Sequence, residues 1–482
     1  MTVYLVGAGP GDPGLITVRG LDLIRRADVL VLDRLAGDEL PAEARTDCLR
    51  IDAGKGPDHV AMTQTEINAC LVEHGRTGAL VVRLKGGDPF LFGRGSEEAG
   101  TLHLAGIPYE VVPGVTSALA APSAGGIPVT HRGVAAHVTI VTGHEDPTKP
   151  ESQIDWTALA RVGGTLVLLM GAGRLGDIAA ALIAGGRSPE TPVGIVERGT
   201  LPGQRITTGT LFDIAKRAQA ADVKAPAVTI IGEVVTVRDA IGWAERLPLA
   251  GTCIAVTRAR AQADGLTRRL RDLGARVISA PTIRIEPLLG DPIDASAYAI
   301  ICVTSPNTPR LLLRRIGGDA RTLAGVEVAA IGPGTAEALR EIGIVADIVS
   351  ERAVAEGLLD LIRDRVNGKR VLIARAQEAR DLLPDGLEAA GADVEIAELY
   401  RTEYLIPKGA GALAADLVTF TSASTARAFA TAYPDADLTA IRGISIGSVT
   451  SAAMRELGIG IAAEADTQDL DGLIVAVLEA IS

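Results

Sequence analysis

Short aliphatic runs recur along the chain between amphipathic stretches: Val29-Leu30-Val31-Leu32, Leu80-Val81-Val82, Leu166-Val167-Leu168-Leu169, Val228-Thr229-Ile230-Ile231 and Val371-Leu372-Ile373. Runs that are apolar at consecutive positions predict strands buried on both faces, as in parallel sheets covered by helices. The expected class is therefore α/β. A strand-like stretch from Ala227 to Val237 gives way to Leu247-Pro248-Leu249-Ala250-Gly251, and a new strand opens at Cys253-Ile254-Ala255-Val256. That change of rhythm places a linker near residues 245–251, with one domain over 1–245 and another over 252–482. A chain of 482 residues exceeds what one hydrophobic core organises, which also argues for more than one domain.

The second part carries an internal repeat. Val256-Thr257-Arg258 recurs as Ile373-Ala374-Arg375, Val303-Thr304-Ser305 as Phe420-Thr421-Ser422, and Ile331-Gly332-Pro333-Gly334-Thr335 as Ile446-Gly447-Ser448-Val449-Thr450. Arg258 and Arg375 lie 117 residues apart, as do Ser305 and Ser422, while Gly332 and Gly447 are 115 apart. Two similar α/β lobes follow. Each unit reads strand, small-residue turn, helix, which directs backbone N–H groups and hydroxyls to the carboxyl end of a sheet, where such domains bind anions. The same Ser and Thr residues could equally serve as helix N-caps.

Composition narrows the function classes. With only 3% aromatic residues, the core must be built from Ala, Val, Leu and Ile. A formal charge of −12 argues against bulk nucleic-acid binding, so an anionic ligand would need a local basic cluster. The N-terminal residues lack a basic, apolar leader pattern and no stretch reaches the roughly 18 apolar residues of a membrane span, so a cytoplasmic protein without membrane partners is expected. Cys48, Cys70, Cys253 and Cys302 have no C-x-x-C spacing and read as buried small hydrophobes, not metal ligands. All six histidines precede the linker.

Gly7-Ala8-Gly9-Pro10-Gly11-Asp12 is a poor dinucleotide fingerprint, because Asp12 stands where glycine is required and Pro10 and Pro13 would interrupt the receiving helix. That counts against a nicotinamide dehydrogenase. More informative is Arg83-Leu84-Lys85-Gly86-Gly87-Asp88-Pro89-Phe90-Leu91-Phe92-Gly93-Arg94-Gly95, which joins cations, one carboxylate and four glycines directly after a buried strand. Glycines let a ligand approach the backbone, and Asp88 can accept hydrogen bonds from a ribose or an amine. Further along stand Val112-Pro113-Gly114-Val115-Thr116-Ser117, Gly126-Ile127-Pro128-Val129-Thr130-His131-Arg132, Val141-Thr142-Gly143-His144, Leu169-Met170-Gly171 and Glu197-Arg198-Gly199-Thr200.

In this order, from Val3 to about Trp243, these motifs resemble the uroporphyrinogen-III C-methyltransferases, a branch of the tetrapyrrole methylases with two α/β subdomains. The resemblance implies methyl transfer from S-adenosylmethionine, leaving S-adenosylhomocysteine, to two pyrrole carbons of uroporphyrinogen III. The product would be precorrin-2, on the route to siroheme and cobalamin, and no metal is needed. Pro10, Gly86, Gly87, Asp88, Leu91, Thr116, Ser117, Met170 and Gly199 are then expected to line the cofactor pocket. Asp33 matches the family's proton acceptor and Lys55 its donor; a carboxylate beside the attacking pyrrole can stabilise cationic charge and take a proton. The family usually reads Tyr-Val-Gly-Lys-Arg around that lysine, whereas this chain has Asp52-Ala53-Gly54-Lys55-Gly56. Lys55, Arg83, Lys85, Arg94, His131 and Arg132 are candidate partners for the substrate's carboxylates. A homodimer through this half is a further implication.

Residues 252–482 resemble uroporphyrinogen-III synthase through Thr257-Arg258, Thr304-Ser305, Gly332 to Thr335, Leu399-Tyr400-Arg401-Thr402, Phe420-Thr421-Ser422 and Gly447 to Thr450. That family has two flavodoxin-like lobes joined by a two-stranded ladder, here 252–283 with 404–482 and 287–399. Alternating Thr282 to Glu286 and Glu398 to Tyr404 suit the ladder. The resemblance implies closure of hydroxymethylbilane with inversion of the last pyrrole, and nominates Tyr400 as the acid with Thr450 and Ser422 beside it. A non-catalytic, anion-sensing module is the alternative for this half.

Overall fold

Alternate residues of the opening strands fall into two separate cores, which is why those runs are apolar throughout. In the computed structural model, which describes residues 2–481 except 34–36, 38, 55–61, 146, 148–152, 202, 353 and 407–410, the first sheet comprises β1 (Val3–Gly7), β2 (Val29–Leu32), β3 (Leu49–Asp52), β4 (Val81–Lys85) and β5 (Tyr109–Val112). Its order is β3-β2-β4-β1-β5 and every pairing is parallel. Val6, Leu30, Val82 and Leu84 face one helical layer, while Val3, Leu5, Val29, Val31 and Val81 face the other. All the loops that follow these strands' carboxyl ends therefore gather on one edge.

A second sheet is mixed: β6 (Val138–Thr142), β7 (Thr165–Leu169), β8 (Pro192–Glu197), β9 (Arg205–Thr210) and β10 (Ala227–Ile231), ordered β6-β7-β10-β8-β9 with only β6 and β7 parallel. The strand expected to run to Val237 stops at Ile231. Gly232 turns the chain at φ +144°, and Val234–Ile241 is a helix whose Val234 and Val235 are buried. Two adjacent valines suit either state, so the turn decides.

The chain divides into two units, Met1–Arg246 and Leu247–Ser482. Residues 247–251 are not a loose linker: Leu249 is fully buried in the second unit's core, and its N–H donates to the Leu273 carbonyl.

The second unit starts with β11 (Cys253–Val256) and β12 (Arg276–Ser279), then builds a six-stranded sheet from β13 (Ile283–Pro287), β14 (Ile300–Val303), β15 (Glu327–Ala330), β16 (Ile348–Val349), β17 (Arg370–Ala376) and β18 (Asp393–Tyr404), ordered β13-β18-β17-β14-β15-β16. β19 (Leu417–Phe420), β20 (Gly443–Ser445) and β21 (Ile461–Glu464) return to β11, giving β12-β11-β19-β20-β21, all parallel. β18 belongs to both the lobe and the crossover. Its first half pairs parallel with β17 and its second half antiparallel with β13, from Pro287 opposite Tyr400 to Ile283 opposite Tyr404. The four cysteines are buried, and among the described residues no helix is long and apolar enough to cross a membrane.

Candidate functional site

Three neighbouring strand ends of the first sheet are drawn together by backbone alone. The Ala8 N–H donates to the Lys85 carbonyl at 2.7 Å, and Gly9 and Gly87 exchange two hydrogen bonds at 3.2 and 2.7 Å. A methyl group on Gly114 would stand 2.2 Å from the Gly87 oxygen and 2.7 Å from Gly7 Cα. No side chain fits there, so the loops after β1, β4 and β5 meet only because these positions are glycine. Gly87 itself is held at φ +66°, with Thr116 and Ser117 about 4 Å from where its Cβ would be. Asp88 locks the assembly: Oδ1 accepts from the Phe90 N–H at 2.8 Å and Oδ2 from the Gly114 N–H at 3.0 Å. Each carboxylate oxygen retains a second lone pair for a ligand hydroxyl or amine.

Loops of the second sheet touch this cluster of strand ends. The Asp12 N–H donates to Thr200 Oγ1 at 3.2 Å, and Gly199 lies so near the helix Ser117–Ala124 that a methyl group would be 2.4 Å from Ala121 Cβ. Thr116 caps that helix, its hydroxyl accepting from the Ala118 N–H. Leu91 packs on the cluster containing Ala118, Ala121 and Leu169, and Met170 follows directly at φ +58°, half exposed. Of the nine residues expected to line a cofactor pocket, Gly87, Asp88, Thr116 and Ser117 meet at the strand ends of the first sheet, and Leu91 and Gly199 pack on the helix that Thr116 caps. Arg198 and Thr200 also have positive φ, at 52° and 69°. Non-glycine residues in that region carry strain and concentrate at functional turns. Thr200 and Gly114, quoted within motifs but assigned no role, make contacts with Asp12 and with Gly87 that only the fold reveals.

Asp33 follows β2 on the same edge, half-buried, with Oδ2 accepting from the Gly86 N–H at 3.4 Å. Lys55 lies outside the described residues. The expected carboxylate-binding cations divide. Arg94, His131 and Arg132 are exposed, although Arg94 already forms a two-pronged pair with Glu97 at 2.8 and 2.7 Å, and His131 Nδ1 is 2.9 Å from the Arg132 carbonyl oxygen. Arg83 and Lys85 are a correction: their side chains are 5% and 3% exposed and converge on the fully buried Glu98, with Arg83 Nε 3.3 Å and Lys85 Nζ 2.8 Å from the same Oε1. They point into the layer between β4 and the helix Gly95–Leu104, where no substrate carboxylate meets them. Burial, then Arg83, pulls the Lys85 ammonium below the usual lysine range, against the opposing pull of Glu98 and Asp33. Two cations at i and i+2 on a strand share a face, which was the sequence signal that a buried acid would be needed.

In the second unit, Tyr400 sits on β18 opposite Ala376, just past a register shift, and is 4% exposed. Its hydroxyl donates to Ser305 Oγ at 2.9 Å, and burial pushes its phenol up. A phenol so placed is a neutral donor. Ser422 caps the helix Ala423–Ala432 in a reciprocal box with Thr425. Thr450, in the first turn of the helix Ser448–Glu456, is buried, as is its repeat partner Thr335 in the helix Pro333–Arg340. Ser422 and Thr450 therefore hold helix starts at the carboxyl edge of one sheet, and Tyr400 with Ser305 lies at the corresponding edge of the other.

Comparison with known proteins joins the two parts. Residues 2–215 match the tetrapyrrole (corrin/porphyrin) methylases and residues 264–475 match uroporphyrinogen-III synthase HemD. The porphyrin biosynthesis protein HemD of Ruminiclostridium josui is 37% identical over 494 residues, covering 99% of this chain and 97% of its own. The S-adenosyl-L-methionine-dependent uroporphyrinogen III methyltransferase of Methanosarcina barkeri is 52% identical over 244 residues, covering 50% of this chain and 94% of its own. Among solved structures, uroporphyrin-III C-methyl transferase from Thermus thermophilus complexed with S-adenyl homocysteine is 43% identical and covers 49% of this chain and 100% of its own, with a TM-score of 0.43. With one relative aligned from end to end and each half matching its own family, the chain belongs to the tetrapyrrole methylases through its first unit and to the uroporphyrinogen-III synthases through its second.

Proposed function

We propose that the second unit closes hydroxymethylbilane to uroporphyrinogen III and that the first methylates this product at two pyrrole carbons to give precorrin-2, with S-adenosylmethionine as donor. The observation that carries the reading is the glycine-mediated meeting of the loops after β1, β4 and β5, with the Asp33 carboxylate hydrogen-bonded to the Gly86 N–H beside them. The donor set suits a hydroxyl-rich nucleoside with a cationic sulfonium: the left-handed turn at Gly87, the remaining lone pairs of Asp88, and the exposed side chain of Met170. Bound there, the cofactor supplies an electrophilic methyl group, so the protein's work is alignment and exclusion of water. Pro10, Gly86, Leu91, Thr116, Ser117 and Gly199 form the walls. The Asp33 carboxylate stabilises cationic charge on the pyrrole and accepts the proton that the ring system, cationic once the methyl group is attached, then loses. Lys55, Arg94, His131 and Arg132 are the cations assigned to the macrocycle's carboxylates.

In the second unit, the substrate readily loses its hydroxyl as water, and the protein's part is to hold the linear chain in the bend that leads to the inverted ring. Tyr400, kept protonated by burial, donates toward the leaving hydroxyl, and helix starts at Ser422 and Thr450 offer N–H groups to carboxylates. Mass spectrometry and isomer analysis of products from hydroxymethylbilane, S-adenosylmethionine and the whole chain test both steps. Dimethylated type III product is expected. Only spontaneous type I product would favour an anion-sensing second unit, and turnover that depended on NAD would favour the dehydrogenase reading of the first.

A further inference from the structure

The helix Ser117–Ala124, capped by Thr116, has Pro122 inside it. Proline brings no N–H, so this short helix holds itself by fewer bonds than its length suggests. Its carboxyl end is gripped from outside instead. The carbonyls of Ser123, Ala124 and Gly125 accept from Trp243 Nε1 at 3.1 Å, Gln204 Nε2 at 3.0 Å and Arg238 Nε at 3.0 Å. Carbonyls at a helix end need such outside donors.

Gln204 differs from the other two because its amide also reaches the strained turn between β8 and β9. Its Oε1 accepts from the Thr200 N–H at 3.0 Å, and Thr200 Oγ1 in turn accepts from the Asp12 N–H at 3.2 Å. An N–H on one side and a carbonyl on the other fix which way the amide faces. One half-buried side chain thus links the loop after β1, the turn at 198–200 and the helix Ser117–Ala124. Packing follows the same line: a methyl group on Gly11 would lie 2.6 Å from Leu201 Cδ2, and one on Gly199 2.4 Å from Ala121 Cβ. Left-handed backbone at Arg198 and Thr200 persists only where the surroundings hold it.

We propose that Gln204 is a positioning residue for S-adenosylmethionine: its amide ties the turn at 198–200 to the end of the helix Ser117–Ala124 and so presets the walls formed by Pro10, Gly199, Thr116 and Ser117. The inference rests on the methyltransferase reading given above. A wall set before the donor arrives costs nothing to order on binding, so the contribution of Gln204 falls on donor affinity and not on the chemical step.

The test measures binding of S-adenosylmethionine and S-adenosylhomocysteine to the full chain by calorimetry, alongside kcat and donor KM for methylation. Gln204→Met keeps the length and bulk of the side chain without either hydrogen bond. With the preset walls populated in about a tenth of the chains, Kd and donor KM both rise about 10-fold, and kcat changes by less than about twofold because the bound donor restores the walls. Gln204→Glu, ionised at neutral pH, still accepts from the Thr200 N–H but has no hydrogen for the Ala124 carbonyl, and is expected to lose affinity by a similar factor. A general loss of stability would lower Tm or the active fraction and leave Kd alone. Q204M or Q204E with the wild-type donor Kd therefore overturns the proposal, as does a fall in kcat at unchanged donor KM. If neither variant folds by far-UV circular dichroism, Thr200→Val decides, since it keeps the shape of the turn residue and removes the acceptor for the Asp12 N–H. Donor binding weakened by roughly threefold or more supports the proposal, and unchanged binding overturns it. A wild-type chain that binds no donor fails the functional reading and the proposal with it, whereas a wild type that binds it no more tightly than the variants fails the proposal alone.

Discussion

At the carboxyl edge of the first sheet, Gly7, Gly87 and Gly114 touch backbone to backbone, and Asp88 clamps the loops they join. At the equivalent edges of the second unit the strands end in helix starts, capped by Ser422 or buried through Thr450 and Thr335, with one phenol, Tyr400, hydrogen-bonded to Ser305. Both regions use the same place in an α/β fold, but they differ in what they require of sequence. A crevice made by close backbone approach demands glycine at fixed positions. A site made of N–H groups demands only a turn and a helix. That difference explains why the first unit's motifs are dense and the second unit's are short and diffuse.

The comparison can be broken at its strongest point by Asp33→Ala, expected to slow methylation by roughly 10²–10⁴-fold while donor affinity by calorimetry stays nearly constant. Equal losses of rate and affinity would make Asp33 a structural residue. Next, Gly114→Ala forces a methyl group against the Gly87 carbonyl and Gly7 Cα. Displacement of the cradle by about 1 Å should cost on the order of 10²-fold in methylation, with type III isomer formation by the second unit untouched in the same preparation. Loss of both activities would mean the units are not built independently.

Tyr400→Phe sharpens the other side. Losing the hydrogen bond to Ser305 removes about 1 kcal/mol of stability, too little to unfold the unit, so a large fall in the type III to type I ratio would be chemical in origin. An unchanged ratio leaves Tyr400 as a strand aromatic. The smallest effect is expected from Arg401→Ala in the crossover ladder, where both partners of the Arg401–Glu286 pair are more than a third exposed. Such surface pairs contribute roughly 0–1 kcal/mol, and a thermal melt should shift by no more than that amount allows.

Much of the first unit was legible because glycine and proline mark backbone constraints directly. Arg83-Leu84-Lys85-Gly86-Gly87-Asp88 reads as a loop of close backbone approach, and its Gly87 does exchange hydrogen bonds with Gly9. The same run misled about its cations. Arg83 and Lys85 alternate with Leu84, yet all three are buried, because β4 is an inner strand covered on both faces. Charge in a sequence reads as exposure until the partner is known, and Glu98 comes 13 residues after Lys85. The run to Val237 failed for a similar reason, since local β-branched content could not outweigh the turn at Gly232.

By itself the sequence determined the α/β class, the repeat of the second half, and the glycine positions of the crevice, because periodicity and backbone permissiveness are local properties. Tertiary structure alone decided that Arg83 and Lys85 serve Glu98, that Thr200 reaches Asp12 across 188 residues, and that Tyr400 is sealed against Ser305. Those contacts depend on which strands become neighbours. Strand order is settled by how whole faces pack, and no short stretch of chain carries it.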